Sequence, residues 1–314
     1  MHWDAATAMP RQDGKIVVIT GANTGIGYDT ALQFVAKGAH VVMACRNTER
    51  AQQARTAICK DLDVDPAKAA VEVMALDVGD EQSIRGFAKA LQAKFDRLDV
   101  LISNAGVALP TDTLTSAGKE PHFAVNHLGH FLLTALLFDL LKRSASARIV
   151  VVSSFLHHVA WLDFASWERH DPSSWWNINK YATSKLANLL FAYELHRRLQ
   201  AAEINNIRVI AVHPGTTRST IFTRWVDAYV PVILQWLALW ILAWLPQQTT
   251  RMGALPTLFA TTDSNAESGA YYGPHRFFHG YPVRVESSST SHSIEHANQL
   301  WELSERMTSH KFNV

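Results

Sequence analysis

The stretch Thr20-Gly21-Ala22-Asn23-Thr24-Gly25-Ile26-Gly27 decides the fold, because it joins a β-branched apolar run to a segment with helical spacing. At such a junction one glycine permits a tight turn, another lets the backbone approach a pyrophosphate, and a third lets helix and strand pack closely. The helix N-terminus then offers N–H groups and a partial positive charge to phosphates. A plain glycine-rich turn is the alternative interpretation, so the surrounding sequence has to decide between the two.

Apolar, β-branched runs alternate with helix-compatible segments along the chain, which indicates βαβ units and a buried parallel sheet. The predicted strands are Lys15–Thr20, His40–Ala44, Val71–Leu76, Leu98–Ser103, Arg148–Ser153 and Ile207–Val212, with a final strand near Ala270–Tyr272. The predicted helices include Ile26–Ala36, Asp80–Phe95, Phe123–Leu141 and Tyr181–Leu199. We therefore predict an α/β fold with one doubly wound parallel sheet of about seven strands and helices on both faces.

No linker rich in Pro, Gly or Ser divides the chain, so we expect one domain over residues 14–314, preceded by a mobile tail at 1–13. A net charge of +1 gives no overall attraction to nucleic acid. Two cysteines, Cys45 and Cys59, do not indicate a disulfide framework, and the N-terminal residues do not resemble a secretory signal. These features favour a cytoplasmic protein.

The residues after the second predicted strand indicate which nucleotide the glycine loop would bind. An NAD enzyme places an Asp or Glu there for the ribose 2′-hydroxyl. This chain has Cys45-Arg46-Asn47 instead, and a guanidinium can bind a 2′-phosphate that a carboxylate would repel. The sequence therefore favours NADP(H) over NAD(H), although a solvated surface arginine is the alternative for Arg46.

Tyr181-Ala182-Thr183-Ser184-Lys185 begins a predicted amphipathic helix and places Tyr181 and Lys185 on one face. A phenol ordinarily titrates near about pH 10, which is too high for a general base at neutrality. An adjacent ammonium group and an oxidised nicotinamide ring would lower the phenol pKa. Taken alone, this spacing is common on helix surfaces.

Five motifs in strand-end positions together resemble the short-chain dehydrogenase/reductase family. They are the glycine loop, Ser103-Asn104-Ala105-Gly106, Val152-Ser153-Ser154, Tyr181 with Lys185, and Pro214-Gly215. The resemblance covers roughly residues 14–275. Within the family, Val125-Asn126-His127-Leu128-Gly129-His130-Phe131 and His213-Pro214-Gly215-Thr216 look most like the retinol-dehydrogenase-like branch, which includes many bacterial members.

The resemblance implies a role for each matching residue. Tyr181 is the acid/base, Lys185 lowers its pKa and binds the nicotinamide ribose, Ser154 hydrogen-bonds the substrate oxygen, and Asn126 holds a water that relays protons. Cofactor contacts are implied for Gly21, Asn23, Thr24, Gly25, Ile26, Gly27, Arg46, Asn47, Asp77, Val78, Asn104, Ala105, Gly106, Tyr181, Lys185, Pro214, Gly215 and Thr217.

Two of these assignments have alternatives. Either Ser153 or Ser154 could be the functional serine, and the family position favours Ser154. Asn126 could instead order the helix that contains it. The insertion Phe155–Lys180 between serine and tyrosine is typical of the retinol-dehydrogenase-like branch. His157 and His158 within it lie at no metal-ligand spacing, so we expect them at the pocket edge or in solvent, and we expect no metal site.

Residues 229–245 form an apolar stretch in which Trp236, Trp240 and Trp244 recur at helical spacing. It is about three residues short of the ~20 that span a membrane. It could be a lid over the substrate, within an elaboration at about 216–250, an oligomer-interface helix, or an interfacial helix in lipid. All three favour an apolar, bulky substrate, with peripheral membrane contact and homo-oligomerisation as possibilities.

The sequence thus predicts an NADP(H)-dependent oxidoreductase that interconverts an apolar carbonyl compound and its alcohol. The alternatives are a catalytically silent NADP(H) sensor or scaffold on the same fold, and a membrane-anchored binding module. The intact set Ser154, Tyr181, Lys185 and Asn126 weighs against the silent protein.

Overall fold

The computed structural model describes residues 3–108, 110, 114–164, 167, 174–217 and 247–314. Its centre is a sheet of eight strands in the order β3-β2-β1-β4-β5-β6-β7-β8. The strands are β1 Ile16–Thr20, β2 His40–Cys45, β3 Val71–Ala75, β4 Val100–Ser103, β5 Ala147–Val152, β6 Ile207–Val212, β7 Tyr271–Pro274 and β8 Pro282–Arg284. Only the pairing of β7 with β8 is antiparallel within the described sheet.

Helices cover both faces of this sheet. They are α1 Ala5–Ala8, α2 Gly25–Ala36, α3 Thr48–Asp61, α4 Glu81–Lys94, α5 Pro121–Phe123, α6 Gly129–Lys142, α7 Ser174–Ala201, α8 Thr250–Thr262 and α9 Ile294–Thr308. One apolar cluster contains side chains of α4, α6, α7 and α9, and a second contains side chains of α1, α2, α3 and α8. The predicted doubly wound α/β fold is confirmed.

The order of the strands reverses direction beside β1, since β2 and β4 lie on opposite sides of it. In open α/β sheets this switch point opens a crevice at the carboxyl ends of the strands, where ligands bind. The segments that follow β1, β4, β5 and β6 all begin at that edge. The fold therefore brings together the five motifs that the sequence places after strands.

The first residues differ from the predicted mobile tail. Trp3 is buried, its Nε1 donates to Asp263 at 2.8 Å, and its ring meets Phe259 edge-on. Met9 is also buried in the cluster beside α8. Residues 3–9 pack against the domain because Trp3 and Met9 remove apolar surface from water there.

One described helical stretch, Pro121–Lys142, is long and apolar enough to span a membrane, but 78% of it is buried inside the protein. It corresponds to the predicted Phe123–Leu141 helix and belongs to the core. The Trp-rich stretch with Trp236, Trp240 and Trp244 lies outside the described residues, as does most of the expected lid at 216–250.

Candidate active site

The glycine loop connects β1 to α2 with two residues in the left-handed region. Gly21 has φ +67° and Gly25 has φ +58°, a conformation that side chains with a Cβ rarely adopt. A Cβ on Gly27 would lie 2.4 Å from the Gly21 carbonyl oxygen and 2.6 Å from Asn104 Nδ2. The loop is therefore drawn tightly against the end of β4, and this close approach requires glycine.

The loop and the end of β4 are joined through Thr20, a residue to which the sequence analysis gave no role. Its hydroxyl oxygen accepts from the backbone N–H groups of Asn104 and Ala105, each at 2.9 Å. Asn104 Nδ2 donates in return to the Thr20 carbonyl oxygen at 2.8 Å. His130 on α6 contacts the same hydroxyl through Nε2 at 2.9 Å.

The remaining loop residues present the N-terminus of α2 to the crevice. Thr24 is the N-cap of α2 in extended conformation, and its side chain makes no capping hydrogen bond. Asn23 is partly exposed beside it, and Ile26 packs against the apolar cluster on this face. This open helix end fits a phosphate group, because helix N-termini stabilise anions.

The residues predicted to select the nucleotide lie at the ends of β2 and β3. Arg46 is 74% exposed, and its Nη1 lies 3.9 Å from Asp77 Oδ2. Asn47 caps α3, since its Oδ1 accepts from the Arg50 backbone N–H at 2.8 Å. Asp77 also accepts from the Gly79 N–H at 2.9 Å. The exposed guanidinium thus makes one long ion-pair contact, with Asp77, among the described residues.

Val78 and Gly106 lie at the walls of the crevice. Val78 is buried in the apolar cluster, and its carbonyl oxygen would be 1.9 Å from a Cβ on Gly129. A Cβ on Gly106 would lie 3.0 Å from Asn126 Oδ1 and 3.4 Å from Lys185 Nζ. Glycine at 106 therefore leaves open the space that separates the β4 end from the lysine.

Tyr181 and Lys185 lie on the same face of α7, where Tyr181 is half-buried and Lys185 is buried. Lys185 Nζ lies 5.8 Å from the centroid of the Tyr181 ring and donates to the Val152 carbonyl oxygen at 3.2 Å. Burial lowers the pKa of Lys185 to about 8. The predicted proximity of the two side chains is therefore present.

The lowering of the Tyr181 pKa, expected from Lys185 together with an oxidised nicotinamide ring, stays a prediction, and the protein's own groups act as follows. Burial raises the pKa of Tyr181, and a hydrogen bond with Ser154 acts in the opposite direction without reversing the rise. The reason is that a phenolate loses its hydration when buried. Burial also disfavours the charged form of Lys185, which is why the pKa of that lysine is lowered.

The structure distinguishes the two serines at the end of β5. Ser153 Oγ donates to the Lys185 backbone carbonyl at 2.7 Å, so its hydroxyl ties β5 to α7. Ser154 begins the 3₁₀ turn Phe155–Val159, its Oγ accepts from the Leu156 N–H at 3.3 Å, and the same side chain acts to lower the pKa of Tyr181. This geometry favours Ser154 as the residue that would meet a substrate oxygen.

Asn126 lies in a π-helical turn, Ala124–Leu128, that interrupts the helix between α5 and α6. Its Oδ1 accepts from the Val107 N–H at 2.7 Å, and its Nδ2 donates to the Val107 carbonyl at 3.0 Å and to Ser184 Oγ at 2.8 Å. The side chain thus fixes the segment after β4 to α7, beside Lys185. Such π turns are frequent at functional sites.

The motif after β6 is shaped by Gly215, which has φ +67°, and a Cβ there would lie 2.2 Å from the Phe278 carbonyl oxygen. The Pro214 carbonyl oxygen accepts from Gln248 Nε2 at 2.5 Å. Thr217 pairs with Gln248 in a parallel bridge, and its Cγ2 approaches Gly253 at the start of α8. These contacts hold the described residues on either side of 218–246 against each other and against α8.

The sequence analysis missed the buried pair of Glu120 and His122 beside the tyrosine. The His122 ring meets the Tyr181 ring edge-on, with centroids 6.2 Å apart. Its Nδ1 lies 2.7 Å from Glu120 Oε1. Burial acts to raise the pKa of Glu120, but hydrogen bonding and charge from His122 outweigh it, so the pKa is lower than usual. The available signal was the Glu120-Pro121-His122 sequence directly before the Asn126 motif.

A cavity of about 340 Å³ lies next to this site, lined by Phe155, His158, His213, Tyr271, Pro274, His275, Phe277, Val285 and Glu286. Phe155 directly follows Ser154 in the chain. Burial raises the pKa of Tyr271 well above its ordinary value, and the nearby phenols of Tyr193 and Tyr181 add to the rise. Burial lowers the pKa of His213 to about 3, so this imidazole is uncharged near neutral pH.

Comparisons with known proteins agree with this geometry. The sequence signature of the short chain dehydrogenase family matches residues 15–229. Human retinol dehydrogenase 11 is 42% identical over 225 residues, which are 70% of this chain and 68% of that protein. Mouse retinol dehydrogenase 14 is 37% identical over 305 residues, 94% of this chain and 86% of that protein. The human WW domain-containing oxidoreductase is 40% identical over 94% of this chain and 68% of its own length.

Among solved structures, a putative uncharacterized protein from Mycobacterium paratuberculosis is 33% identical, with a TM-score of 0.78 and 100% of both chains covered. The Pseudomonas aeruginosa protein RhlG, in a complex with NADP, has a TM-score of 0.63 at 22% identity. That match covers 84% of this chain and 95% of RhlG, and at this identity it shows the fold alone.

Proposed function

Because this chain belongs to the short-chain dehydrogenase family and is similar to retinol dehydrogenases, we propose that it is an NADP(H)-dependent oxidoreductase that reduces an apolar carbonyl compound to its alcohol. The observation that carries the proposal is the meeting of three side chains from two elements. Ser154 at the end of β5 lies beside Tyr181 on α7, where it acts to lower the pKa of the phenol, and Lys185 Nζ lies 5.8 Å from the centroid of the same ring.

The crevice fits a dinucleotide on the evidence of its own residues. A Cβ on Gly21, Gly27 or Gly106 would occupy the space between the loop after β1, the end of β4 and Lys185. The N-terminus of α2 faces the same crevice and suits phosphate. When bound, the nicotinamide supplies or accepts the hydride.

The protein's own groups would handle the substrate oxygen and its proton. A raised pKa keeps Tyr181 protonated near neutral pH, so its hydroxyl can donate a proton to the oxygen as negative charge develops there. Ser154 would donate a hydrogen bond to the same oxygen. Lys185, whose pKa is about 8, would keep a positive charge beside the phenol and return a proton to it.

NADP(H) is favoured by Arg46, since no carboxylate occupies the end of β2 and the exposed guanidinium can bind a 2′-phosphate. An apolar substrate is favoured by the cavity beside Ser154, where Phe155, Tyr271 and Phe277 present aromatic surface. Reduction is favoured because NADPH is usually the reduced pool in cells.

The test is the oxidation of NADPH against a panel of apolar aldehydes and ketones, run beside NADH and beside Tyr181→Phe. We expect turnover that prefers NADPH and falls by at least about 10²-fold in Tyr181→Phe, because the proton donor is lost. Unchanged turnover in Tyr181→Phe would show that the acid is another group. NADPH binding without turnover of any compound would favour the silent sensor, and no binding of either nucleotide would refute the proposal.

A further inference from the structure

The imidazole of His157 is buried at the end of the turn that begins with Ser154. Its Nδ1 lies 2.6 Å from the Ser154 carbonyl oxygen, and the backbone N–H of Ser288 donates to its Nε2 at 3.1 Å. A carbonyl oxygen can only accept and a backbone N–H can only donate. The two partners therefore fix the neutral tautomer with the proton on Nδ1.

Ser288 belongs to a segment that also holds the helix of the catalytic tyrosine. The neighbouring Ser287 Oγ lies 2.8 Å from Tyr193 Oη on α7, three turns beyond Tyr181. The same hydroxyl contacts Ser291 Oγ at 2.8 Å and His292 Nε2 at 2.9 Å. We call residues 285–292 the C-terminal brace, because this segment contacts both α7 and the His157 turn.

We propose that His157 is a positioning residue, which sets the place of Ser154 relative to Tyr181 by clamping the Ser154 carbonyl to the C-terminal brace. The inference rests on the proposed function, in which Ser154 and Tyr181 meet the same substrate oxygen. A displacement of Ser154 or Tyr181 by about 1 Å can lower the rate by about 10²-fold, because both must reach that oxygen.

The surroundings keep the clamp in its neutral form. Burial, with smaller contributions from the rings of His158 and His292, lowers the pKa of His157 to about 4, although the bond to the Ser154 carbonyl acts in the opposite direction. The His158 ring is tilted by 38° with its centroid 4.0 Å away, and the Tyr271 ring from β7 lies edge-on at 5.5 Å. Protonation would place a second N–H against the Ser288 N–H, so the clamp requires neutral imidazole.

Replacing Ser288 by proline tests the hydrogen bond from its backbone N–H to His157. Its backbone has φ −59° and ψ 147°, which proline adopts without strain, so Ser288→Pro deletes the N–H donor alone. The Ser288 hydroxyl makes no hydrogen bond within the described part of the chain. Ser288→Ala keeps the N–H and is therefore the matched control.

We expect Ser288→Pro to lower kcat by about 3- to 10-fold, the effect of one hydrogen bond, while the Kd for NADPH stays within about twofold. Ser288→Ala should keep kcat within about twofold. His157→Asn, whose amide can still donate toward the Ser154 carbonyl, should retain more kcat than His157→Phe, whose side chain can neither donate to that carbonyl nor accept from the Ser288 N–H.

Imidazole ¹⁵N chemical shifts provide a readout that a loss of stability alone would not change. The wild type and Ser288→Ala should show His157 with the proton on Nδ1, and Ser288→Pro should lose that single tautomer. The clamp is overturned if the wild type carries the proton on Nε2, or if Ser288→Pro keeps full kcat. Loss of activity in Tyr181→Phe alongside a fully active Ser288→Pro rejects only this inference, whereas full activity in Tyr181→Phe rejects the proposed function itself.

Discussion

Ser153 donates its hydroxyl hydrogen to the backbone carbonyl oxygen of Lys185 at 2.7 Å, so the residue next to the candidate catalytic serine serves the helix and not the substrate. Ser154 instead lies close enough to Tyr181 to act on the pKa of its phenol. Two adjacent, buried serines at the end of β5 therefore differ in what their removal should do.

Replacing each serine by alanine separates these roles. We expect Ser154→Ala to lower kcat by about 10²-fold with little change in stability, because a donor to the developing oxyanion is lost. Ser153→Ala should lower the free energy of unfolding by about 1 kcal/mol and change kcat only a few-fold. Steady-state kinetics and urea unfolding of both variants measure this, and an inactive Ser153→Ala beside an active Ser154→Ala would exchange the two assignments.

The buried ammonium of Lys185 should make stability depend on pH. Its pKa is about 8 in the folded protein against an ordinary 10.5, so between these pH values the unfolded chain binds a proton that the folded chain lacks. Stability therefore rises with pH through that window, and the cost of the buried charge is complete below it. This cost corresponds to about 3 kcal/mol, offset by about 1 kcal/mol from the hydrogen bond to Val152.

Lys185→Met should accordingly be inactive yet about 2 kcal/mol more stable than the wild type at pH 7, with the advantage gone near about pH 10.5. The measurement is urea unfolding without cofactor across that pH range. Lys89→Met, at an exposed position of α4, is the control and should show no such trend. A stability difference that is the same at every pH would contradict the buried-charge argument.

Arg46 should determine the preference for NADPH. We expect Arg46→Ala to raise the Kd for NADPH by about 10- to 100-fold, the effect of losing a charge-assisted hydrogen bond, and to change the Kd for NADH only slightly. Lys60→Ala removes an exposed cation at the far end of α3 and should leave both values unchanged. Equal weakening of both nucleotides would show that Arg46 does not contact the 2′-phosphate.

Gly27 and Gly86 provide a matched pair of helical glycines. A Cβ at Gly27 would collide with the Gly21 carbonyl and with Asn104, whereas at Gly86 on α4 nothing lies within 4 Å. Gly27→Ala should therefore abolish detectable NADPH binding, and Gly86→Ala should raise stability by about 0.5–1 kcal/mol. Calorimetric titration with NADPH and thermal unfolding measure the two effects. Normal binding by Gly27→Ala would mean that the loop can move away from β4 without cost.

The sequence predicted the six parallel strands from β1 to β6 to within about two residues, because buried parallel strands are continuous β-branched runs. It predicted about seven strands in all and missed β8. This strand has three residues, Pro282–Arg284, shows no alternation of apolar and polar side chains, and pairs antiparallel with β7. Trp3 and Met9 bury their side chains against a helix some 250 residues later, a long-range contact that the local sequence does not mark.

Within the site, helical spacing predicted that Tyr181 and Lys185 share one face, and the resemblance to the short-chain dehydrogenase/reductase family implied Ser154 beside them. The π-helical turn at Asn126 and the pair of Glu120 with His122 depend on packing against α7, which no local pattern encodes. The His157 clamp joins residues 131 positions apart through a backbone N–H, so no side-chain pattern marks Ser288 as its partner.

The two edge strands of the sheet affect whether a second molecule can add a strand to it. β8 is three residues long, begins with Pro282, and carries an exposed Arg284 paired with Glu267. At the opposite border, Glu72 of β3 is held by Lys94 and His40. A proline and fixed charges at these borders disfavour the addition of a foreign strand, which protects a long apolar sheet from ordered aggregation. Self-association, where it occurs, is therefore expected through helices and not by continuation of the sheet.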